Sequence, residues 1–206
     1  MKEHVLAKIL TLIIASILST TLGFSQGKLI GGPCEGCEAV FEFGDQILTP
    51  VDTLPEFDSE GVQIKITGLL YEPDGKTPAE GVILYVYQTN EKGVYPKKGN
   101  ETGWARRHGY IRGWAKTHAE GTYTFYTQKP HFYGNEPAHI HLTILEPDGS
   151  YYWLGSFLFE GDANLTGKQI NNSAPRGGSN GIMSLEMKDG ILVGNRNIIL
   201  RKNISN

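Results

Sequence analysis

The most informative stretch of the chain reads Glu136-Pro137-Ala138-His139-Ile140-His141, and a largely apolar run, residues 142–145, follows it. Runs of this kind predict a β-strand, along which successive side chains point to opposite faces. His139 and His141 are two positions apart, so both imidazoles lie on the same face of the predicted strand. Two imidazoles on one face are a suitable geometry for binding a metal ion.

Two tyrosines are candidate oxygen ligands for the same ion. Tyr133 lies shortly before His139, and Tyr95 lies in a polar, glycine-rich segment, residues 91–109, that has no clear periodicity. Two neutral nitrogens combined with two phenolates suit a hard trivalent ion such as ferric iron better than zinc or copper. The four residues therefore indicate iron–phenolate chemistry.

The composition is that of one soluble globular domain with a substantial core. The chain has 206 residues, of which 39% are hydrophobic and 20% are charged, and its formal net charge is -3. A negative net charge argues against nucleic acid as a partner. We find no internal repeat and no interdomain linker.

The N-terminus differs in character from the rest of the chain. Lys2 and Lys8 precede a mainly apolar run, residues 9–18, and small and polar residues continue to Gln26. This pattern is typical of a secretory signal peptide. The alternative is a membrane anchor, but the run is much shorter than the about 20 residues that a membrane-spanning helix needs. We therefore expect an exported protein, periplasmic or secreted, whose mature form has no membrane segment.

The sequence contains only two cysteines, Cys34 and Cys37. A single C-x-x-C motif cannot complete a four-thiolate metal site. In a cytosolic protein this spacing would indicate redox or metal chemistry, whereas in an exported chain it favours a local disulfide. Because so small a loop would be closed, the disulfide should pin the N-terminal arm rather than stabilise the whole domain.

Downstream of the arm, turn signals and β-rich runs alternate as they do in all-β proteins. The turn signals are Pro73-Asp74-Gly75, Glu120-Gly121, Pro147-Asp148-Gly149 and Asp189-Gly190. The runs between them are residues 62–71, 82–88, 122–127, 139–146, 151–159 and 191–200, and residues 91–109 and 162–180 are predicted loops. This pattern predicts an all-β sandwich or barrel with functional loops at one end.

The predicted organisation has three parts. Residues 1–26 form the signal peptide, residues 27–60 form an N-terminal arm that holds the C-x-x-C motif, and residues 61–206 form a β-sandwich domain.

A set of motifs spread over residues 68–162 resembles the intradiol ring-cleavage dioxygenases, and within them the protocatechuate dioxygenase type. The matching segments are Gly68-Leu69-Leu70-Tyr71, Asp74-Gly75, Val86-Tyr87-Gln88, Gly93-Val94-Tyr95, Arg112-Gly113, Gly121-Thr122-Tyr123, Lys129-Pro130, Pro137-Ala138-His139-Ile140-His141 and Phe159-Glu160-Gly161-Asp162. They occur in the family's order and at compatible spacing. The resemblance implies a β-sandwich of the intradiol dioxygenase type with a non-haem ferric iron site.

The resemblance also implies a role for each candidate ligand. Tyr95 corresponds to the tyrosine that stays bound to iron, and Tyr133 to the tyrosine released when substrate arrives. His139 and His141 correspond to the two histidine ligands. The implied partners are a small aromatic substrate of the catechol class and dioxygen, and the ring would open between its two hydroxyl-bearing carbons. Members of this family often assemble, so a homo-oligomer is possible.

Two positions depart from the family pattern. Glu136 stands where the family usually has an arginine that borders the substrate pocket and stabilises negative charge during ring attack, and Ser156 stands where it usually has glutamine. An acidic residue in that place would reduce or redirect catalysis, which makes Glu136 a second candidate catalytic residue beside Tyr133. Three arginines are candidate substitutes: Arg106, Arg107 and Arg112.

Other polar and aromatic residues have simpler interpretations. The remaining tyrosines, Tyr87 among them, are assigned to core and cross-strand packing. Glu160 and Asp162 are assigned to a turn rather than to an acid–base pair. Three histidines are assigned to solvent: His108, His118 and His131.

Two function classes remain open from the sequence. The first is an exported dioxygenase that cleaves a catechol-like ring with ferric iron. The second is an exported, non-catalytic module that binds iron or catechols, because residues 68–87 also resemble transthyretin-like sandwiches. The complete set of four ligands favours the enzyme, and the missing arginine favours the module.

Overall fold

The structure is a computed structural model that describes residues 27–205. The predicted signal peptide, residues 1–26, lies outside the described residues. Twelve strands occur in the described part of the chain: β1 Lys28–Leu29, β2 Val51–Thr53, β3 Gln63–Tyr71, β4 Ile83–Gln88, β5 Arg112–Lys116, β6 Thr122–Gln128, β7 His139–Leu145, β8 Ser150–Phe159, β9 Ile182–Met183, β10 Glu186–Lys188, β11 Ile191–Asn195 and β12 Ile198–Ile199.

The helices of the described residues are all short. Two are α-helices, α1 Ala105–His108 and α2 Gly167–Ile170, and two are 3₁₀ helices, Cys37–Phe41 and Arg176–Gly178. None of them is long and apolar enough to cross a membrane.

The strands form two sheets that pack face to face. The first sheet has the order β1-β8-β7-β4-β5, with β9 beside β8, and the pairs among β8, β7, β4 and β5 are antiparallel. The second has the order β10-β11-β3-β6-β2, with β12 also beside β3. The prediction of an all-β sandwich with long loops is confirmed.

Alternation along the strands produces the core between the sheets. In β3 every second residue is buried, including Ile64, Ile66 and Leu70. Leu84 and Val86 of β4 face them from the first sheet. Each such aliphatic side chain contributes about 1.5–3 kcal/mol when it is fully buried, so the alternation holds the two layers together.

The outer face of the first sheet is also covered, and the N-terminal arm covers it. Cys37, Ala39 and Val40 of the arm pack in a second apolar cluster with Tyr85 of β4 and Trp114 of β5. Trp114 donates a hydrogen bond from Nε1 to the Val40 carbonyl at 3.1 Å. The arm therefore lies on the same face of the sheet as the odd-numbered residues of β4.

The arm is closed locally by a disulfide and also pairs with the sandwich through strands. Cys34 and Cys37 are joined by a disulfide with a Cα–Cα distance of 5.7 Å. Farther along the arm, β2 pairs in parallel with β6 of the second sheet. Because β1 also pairs in parallel with β8, the arm contributes two strands as well as a cover to the sandwich.

The run predicted over residues 191–200 is not one strand. It divides into β11 and β12, and Arg196 between them is 3% exposed. Its backbone N–H donates to the Thr67 carbonyl while its guanidinium turns toward β8. The predicted loops 91–109 and 162–180 contain α1 and α2, because four-residue helices leave no periodic signal in the sequence.

Candidate metal centre

The two histidines of the sequence motif begin β7, which lies between β4 and β8. Ile140 and Leu142 point into the core between the sheets. His139 and His141 therefore point to the outer face, where the arm lies. Across the β4–β7 ladder, His141 stands directly opposite Tyr87.

A hydrogen bond holds His139 in one tautomer. Its Nδ1 lies 2.7 Å from the Pro137 carbonyl oxygen, which can only accept, so Nδ1 carries the proton. The lone pair of Nε2 is then free to bind a metal, and this nitrogen lies 3.0 Å from Nε2 of His141. Hydrogen bonds from a ring N–H to a backbone carbonyl orient metal-binding histidines in many proteins.

His141 is held by stacking. Its ring lies 4.2 Å from the Tyr87 ring, centroid to centroid, at an interplanar angle of 10°. Burial, together with the smaller effects of His139 and His108, lowers the pKa of His141 to about 3. His141 is therefore neutral at physiological pH, which is the state that binds metals.

The loops that carry the two tyrosines are joined to each other. Asn90 begins the turn before Tyr95, and its Oδ1 accepts from the N–H groups of Lys92 and Val94. Its carbonyl accepts from the His131 N–H at 3.1 Å. Gly93 has φ +70° and lies so close to the Phe132 carbonyl that a Cβ would collide with it, so glycine is required there.

Tyr95 reaches both histidine and tyrosine partners. Its Oη lies 2.9 Å from His141 Nε2 and 3.4 Å from Tyr133 Oη. Burial, the hydrogen bond to Tyr133 and the charges of Tyr133 and Glu136 raise the pKa of the Tyr95 hydroxyl. Without a metal Tyr95 is therefore protonated, and a bound cation would have to displace that proton.

Tyr133 is positioned by a tight turn that ends at Glu136. The Glu136 N–H donates to the Tyr133 carbonyl at 3.0 Å. Asp162 accepts a hydrogen bond at Oδ2 from the Ala138 N–H at 2.9 Å, and its own N–H donates to the Phe159 carbonyl. Asp162 therefore belongs to a turn, as the sequence indicated, and holds the backbone immediately before His139.

The four side chains converge, and their donor atoms suit one metal ion. Two ligands bound at about 2.1 Å and at right angles are about 3.0 Å apart, and the separations of His141 Nε2 from His139 Nε2 and from Tyr95 Oη are 3.0 and 2.9 Å. Within the described residues no group of three or more His, Cys, Asp or Glu side chains could hold a metal. A metal at this place therefore depends on the phenol oxygens.

A cavity of about 550 Å³ opens beside the four candidate ligands. Tyr133, His139 and His141 form its floor, and Glu136 and Ser156 lie in its wall. The position of Ser156 results from a β-bulge: Ile140 pairs with Phe157 and Leu142 with Leu154, so β8 has one more residue than β7 over this interval. The bulge turns this segment of β8 toward the cavity.

The buried Arg196 supports the bulge. Its Nη1 donates to the Gly155 carbonyl at 2.5 Å and to the Ser156 carbonyl at 3.2 Å. Its Nε donates to Ser179 Oγ at 3.0 Å. Arg196 thus satisfies carbonyls that the strand ladder leaves unpaired, and it connects the cavity wall to residues 176–181.

The arginines that the sequence offered as substitutes have other surroundings. Arg112 bonds to Glu42 at 2.5 Å, with its side chain mostly buried. Arg107 forms an exposed ion pair with Glu35 of the arm. The two members of this pair line a separate cavity of about 340 Å³ on the arm side of Tyr95. Arg106 donates from Nε to the Glu101 carbonyl at 3.3 Å, and none of the three arginines lines the cavity that holds Glu136.

His108 is the functional neighbour that the sequence reasoning missed. Its assignment to solvent is wrong: the residue is 5% exposed, and its ring stacks on Tyr87 at 3.7 Å and 5°. Its Nδ1 lies 2.8 Å from Tyr85 Oη, and burial lowers its pKa to about 4. Tyr87 is therefore held between His108 and His141, and no spacing rule in the sequence announces this contact.

Comparisons with known proteins agree with the architecture. No protein-family model and no curated protein matches the chain. Among solved structures, the dioxygenase domain of a dioxygenase carbohydrate-binding protein fusion from Streptomyces sp. SirexAA-E is 18% identical, with 85% of this chain and 97% of that one covered and a TM-score of 0.54. An intradiol ring-cleavage dioxygenase from Tetranychus urticae is 20% identical, with coverages of 84% and 93% and a TM-score of 0.55.

A third similar structure is catechol 1,2-dioxygenase from Pseudomonas arvilla C-1. It is 17% identical, with 92% of this chain and 66% of that one covered and a TM-score of 0.57. At these identities the likeness establishes the fold. The chain has the β-sandwich fold of the intradiol ring-cleavage dioxygenases.

Proposed function

We propose that this protein is a non-haem ferric dioxygenase that cleaves a catechol-like ring between its two hydroxyl-bearing carbons. The observation that carries the proposal is the convergence of two imidazoles and two phenols at one point beside a cavity. The proteins of similar fold bear the names of intradiol and catechol dioxygenases, which supports the same reaction class.

Four residues would hold the iron: Tyr95, Tyr133, His139 and His141. Their donor set suits a hard trivalent cation, because phenolates are anionic oxygen ligands and both histidines present neutral nitrogens. Bound ferric iron would supply a Lewis acid and template that stabilises the catechol as an anion and permits its reaction with dioxygen.

The two tyrosines are suited to different tasks. Tyr95 is partly buried and bonded to His141, so it is suited to remain in place. Tyr133 lines both the cavity that contains Glu136 and the smaller cavity on the arm side of Tyr95, so there is space on two sides of its side chain. We assign Tyr133 Oη to accept a proton from a substrate hydroxyl as the substrate arrives.

The surrounding residues orient the reactants and limit water. Tyr87 and His108 form a stacked wall behind His141, and Leu158 lines the substrate cavity. Ser156 stands where the family usually has glutamine. Its side chain is shorter than that of glutamine, so it leaves more room in the cavity for the substrate ring. Glu136 lies at the rim and acts on the substrate by its charge.

An optical titration followed by oxygen uptake tests the proposal. Protein produced with iron should bind about one ferric ion per chain, absorb visible light through phenolate-to-iron charge transfer, and shift its band when catechol is added without oxygen. Oxygen should then be consumed, and mass spectrometry should find a ring-opened diacid that contains both atoms of dioxygen.

The same experiment separates the alternative from the enzyme. A band that shifts with catechol but is followed by no oxygen uptake would identify a non-catalytic iron and catechol binder, an outcome that the acidic Glu136 favours. Stoichiometric zinc with no visible absorption, in protein made with iron available, would contradict the ferric assignment.

A further inference from the structure

The charge of the substrate cavity comes from one side chain. Among the described residues that line it, Glu136 is the only aspartate, glutamate, lysine or arginine. The wall that a ring substituent would meet is therefore negative.

No cation of the described chain neutralises this carboxylate. Each arginine or lysine that forms an ion pair within the described residues does so with another acidic residue: Glu35, Glu42, Glu91, Glu146, Asp148 or Glu186. Among residues 27–205, Glu136 takes part in hydrogen bonds only through its backbone, donating from N–H to Tyr133 and accepting at its carbonyl from Asn164. Its carboxylate remains available to a ligand.

The other polar side chains of the wall are neutral, and three of their oxygens already accept hydrogen bonds within the protein. Gln169 Oε1 accepts from Thr166 at 2.9 Å, and Asn180 Oδ1 accepts from the Ile182 N–H at 3.2 Å. Asn172 Oδ1 likewise accepts from the Ala174 N–H at 3.1 Å. A carboxylate attracts a cation more strongly than a neutral amide oxygen does, so a cationic group in the cavity has Glu136 as its preferred partner.

Glu136 also lies close enough to act on a bound ring. It is paired with Tyr133 across one tight turn, and it lines the same cavity as Tyr133, His139 and His141. A ring held at Tyr133, His139 and His141 would therefore direct a short substituent along the same wall.

We propose that the preferred substrates are catechols that carry a protonated amine on a short side chain, with the ammonium group at Glu136. This inference rests on the proposed function. Opposite charges at about 4 Å attract by about 1 kcal/mol in water, which is about fivefold in affinity. Because Glu136 is exposed, we expect that size of effect rather than the larger one of a buried pair.

Three catechols of similar shape, differing only in side-chain charge, test the inference: an aminoethyl, a propyl and a carboxyethyl derivative. Each is titrated into the iron-loaded protein without oxygen to measure affinity from the optical shift, and then assayed for kcat/KM by oxygen uptake. We expect the aminoethyl compound to exceed the propyl compound by about fivefold, and the carboxyethyl compound to fall below it by a similar factor.

Two variants of Glu136 and one control variant test whether Glu136 causes the preference for a positively charged side chain. Glu136→Gln should remove the dependence on side-chain charge, and Glu136→Arg should reverse it. Glu120→Gln is the matched control, because Glu120 lies far from the cavity. Glu120 follows β5 at the end of the sheet where Ile83 pairs with Lys116 and Leu145, and His139 lies at the opposite end. It should preserve the order of the three compounds.

The outcomes separate the inference from the function on which it rests. Equal affinity and kcat/KM for all three compounds, or the same order in wild type and Glu136→Gln, would overturn the amine preference while leaving ring cleavage in place. If none of the three compounds shifts the band, or if none of them leads to oxygen uptake, both the amine preference and the ring-cleavage function are overturned.

Discussion

The histidines and the tyrosines of the candidate centre reach the same point by different means. His139 and His141 are two residues of one strand in the middle of a sheet, and Ile140 between them is 1% exposed in the core. Tyr95 and Tyr133 come from two loops that are joined by two hydrogen bonds: the His131 N–H donates to the Asn90 carbonyl, and Thr89 Oγ1 donates to the His131 carbonyl. One half of the site is thus part of the fold, and the other half is attached to it.

This difference bears on what each half can do. A strand residue cannot move without breaking the ladders on both sides, so the histidine pair is preorganised for binding a metal. A loop residue can change position at lower cost, which suits a tyrosine that is to be exchanged for substrate. We therefore predict that removing a histidine of the strand lowers iron binding more than removing a tyrosine of a loop.

The largest effect is expected from His141→Ala. The substitution removes a nitrogen that lies within 3.0 Å of both His139 Nε2 and Tyr95 Oη, so it removes the centre of the donor set. We expect iron content to fall from about one ion per chain to near zero, measured by metal analysis, with visible absorption lost. His118→Ala, an exposed position, is the control and should retain iron. Full iron in His141→Ala would contradict the assignment of this ligand.

A smaller effect is expected from Tyr95→Phe, which leaves the strand pair intact. The variant loses an anionic ligand, so iron affinity should fall by about tenfold or more and the charge-transfer band should weaken and shift. Tyr71→Phe, at the end of β3 in the other sheet, should leave both unchanged. An unaltered band in Tyr95→Phe would show that this phenol does not bind iron. Tyr133 would then be the one loop ligand of the proposed centre to compare with the strand histidines.

The strand half of the site could be predicted from the sequence, and the reason is local. Period-two alternation places His139 and His141 on one face whatever the partners of the strand are. It also predicts the buried face of β3. The tyrosines have no such periodicity, so the sequence alone offers Tyr95 and Tyr133 only as candidate oxygen ligands, and their separate roles are implied by the resemblance to a family.

Features that depend on distant segments had no signal in the sequence. Arg196 reads as part of a strand, but it is buried because carbonyls of a bulge 40 residues earlier need its donors. The packing of the arm on the outer face of the first sheet could not be read from its composition. His108 reads as a loop residue, and only the fold shows that it stacks on Tyr87.

The smallest effect concerns this stack, in which His108, a side chain from outside the sheet, supports His141 through Tyr87. His108 has a pKa of about 4 in the folded protein, against about 6.5 for an unperturbed histidine. As pH falls from about 6.5 toward 4, the unfolded chain takes up a proton at this position and the folded protein does not. Its contribution to stability is therefore complete above about pH 6.5 and is lost as pH falls, by at most about 1.4 kcal/mol per pH unit.

His108→Asn removes this dependence while its amide oxygen can still accept from Tyr85 Oη. The variant should be less stable than wild type at pH 7, because it loses the ring that stacks on Tyr87 at 3.7 Å. The difference in free energy of unfolding, measured with urea, should then narrow steadily between pH 6.5 and 4. His118→Asn, at an exposed position, should run parallel to wild type over the same range. Parallel curves for His108→Asn would mean that the His108 ring accepts a proton in the folded protein, and that the wall behind His141 is more open to water than its burial indicates.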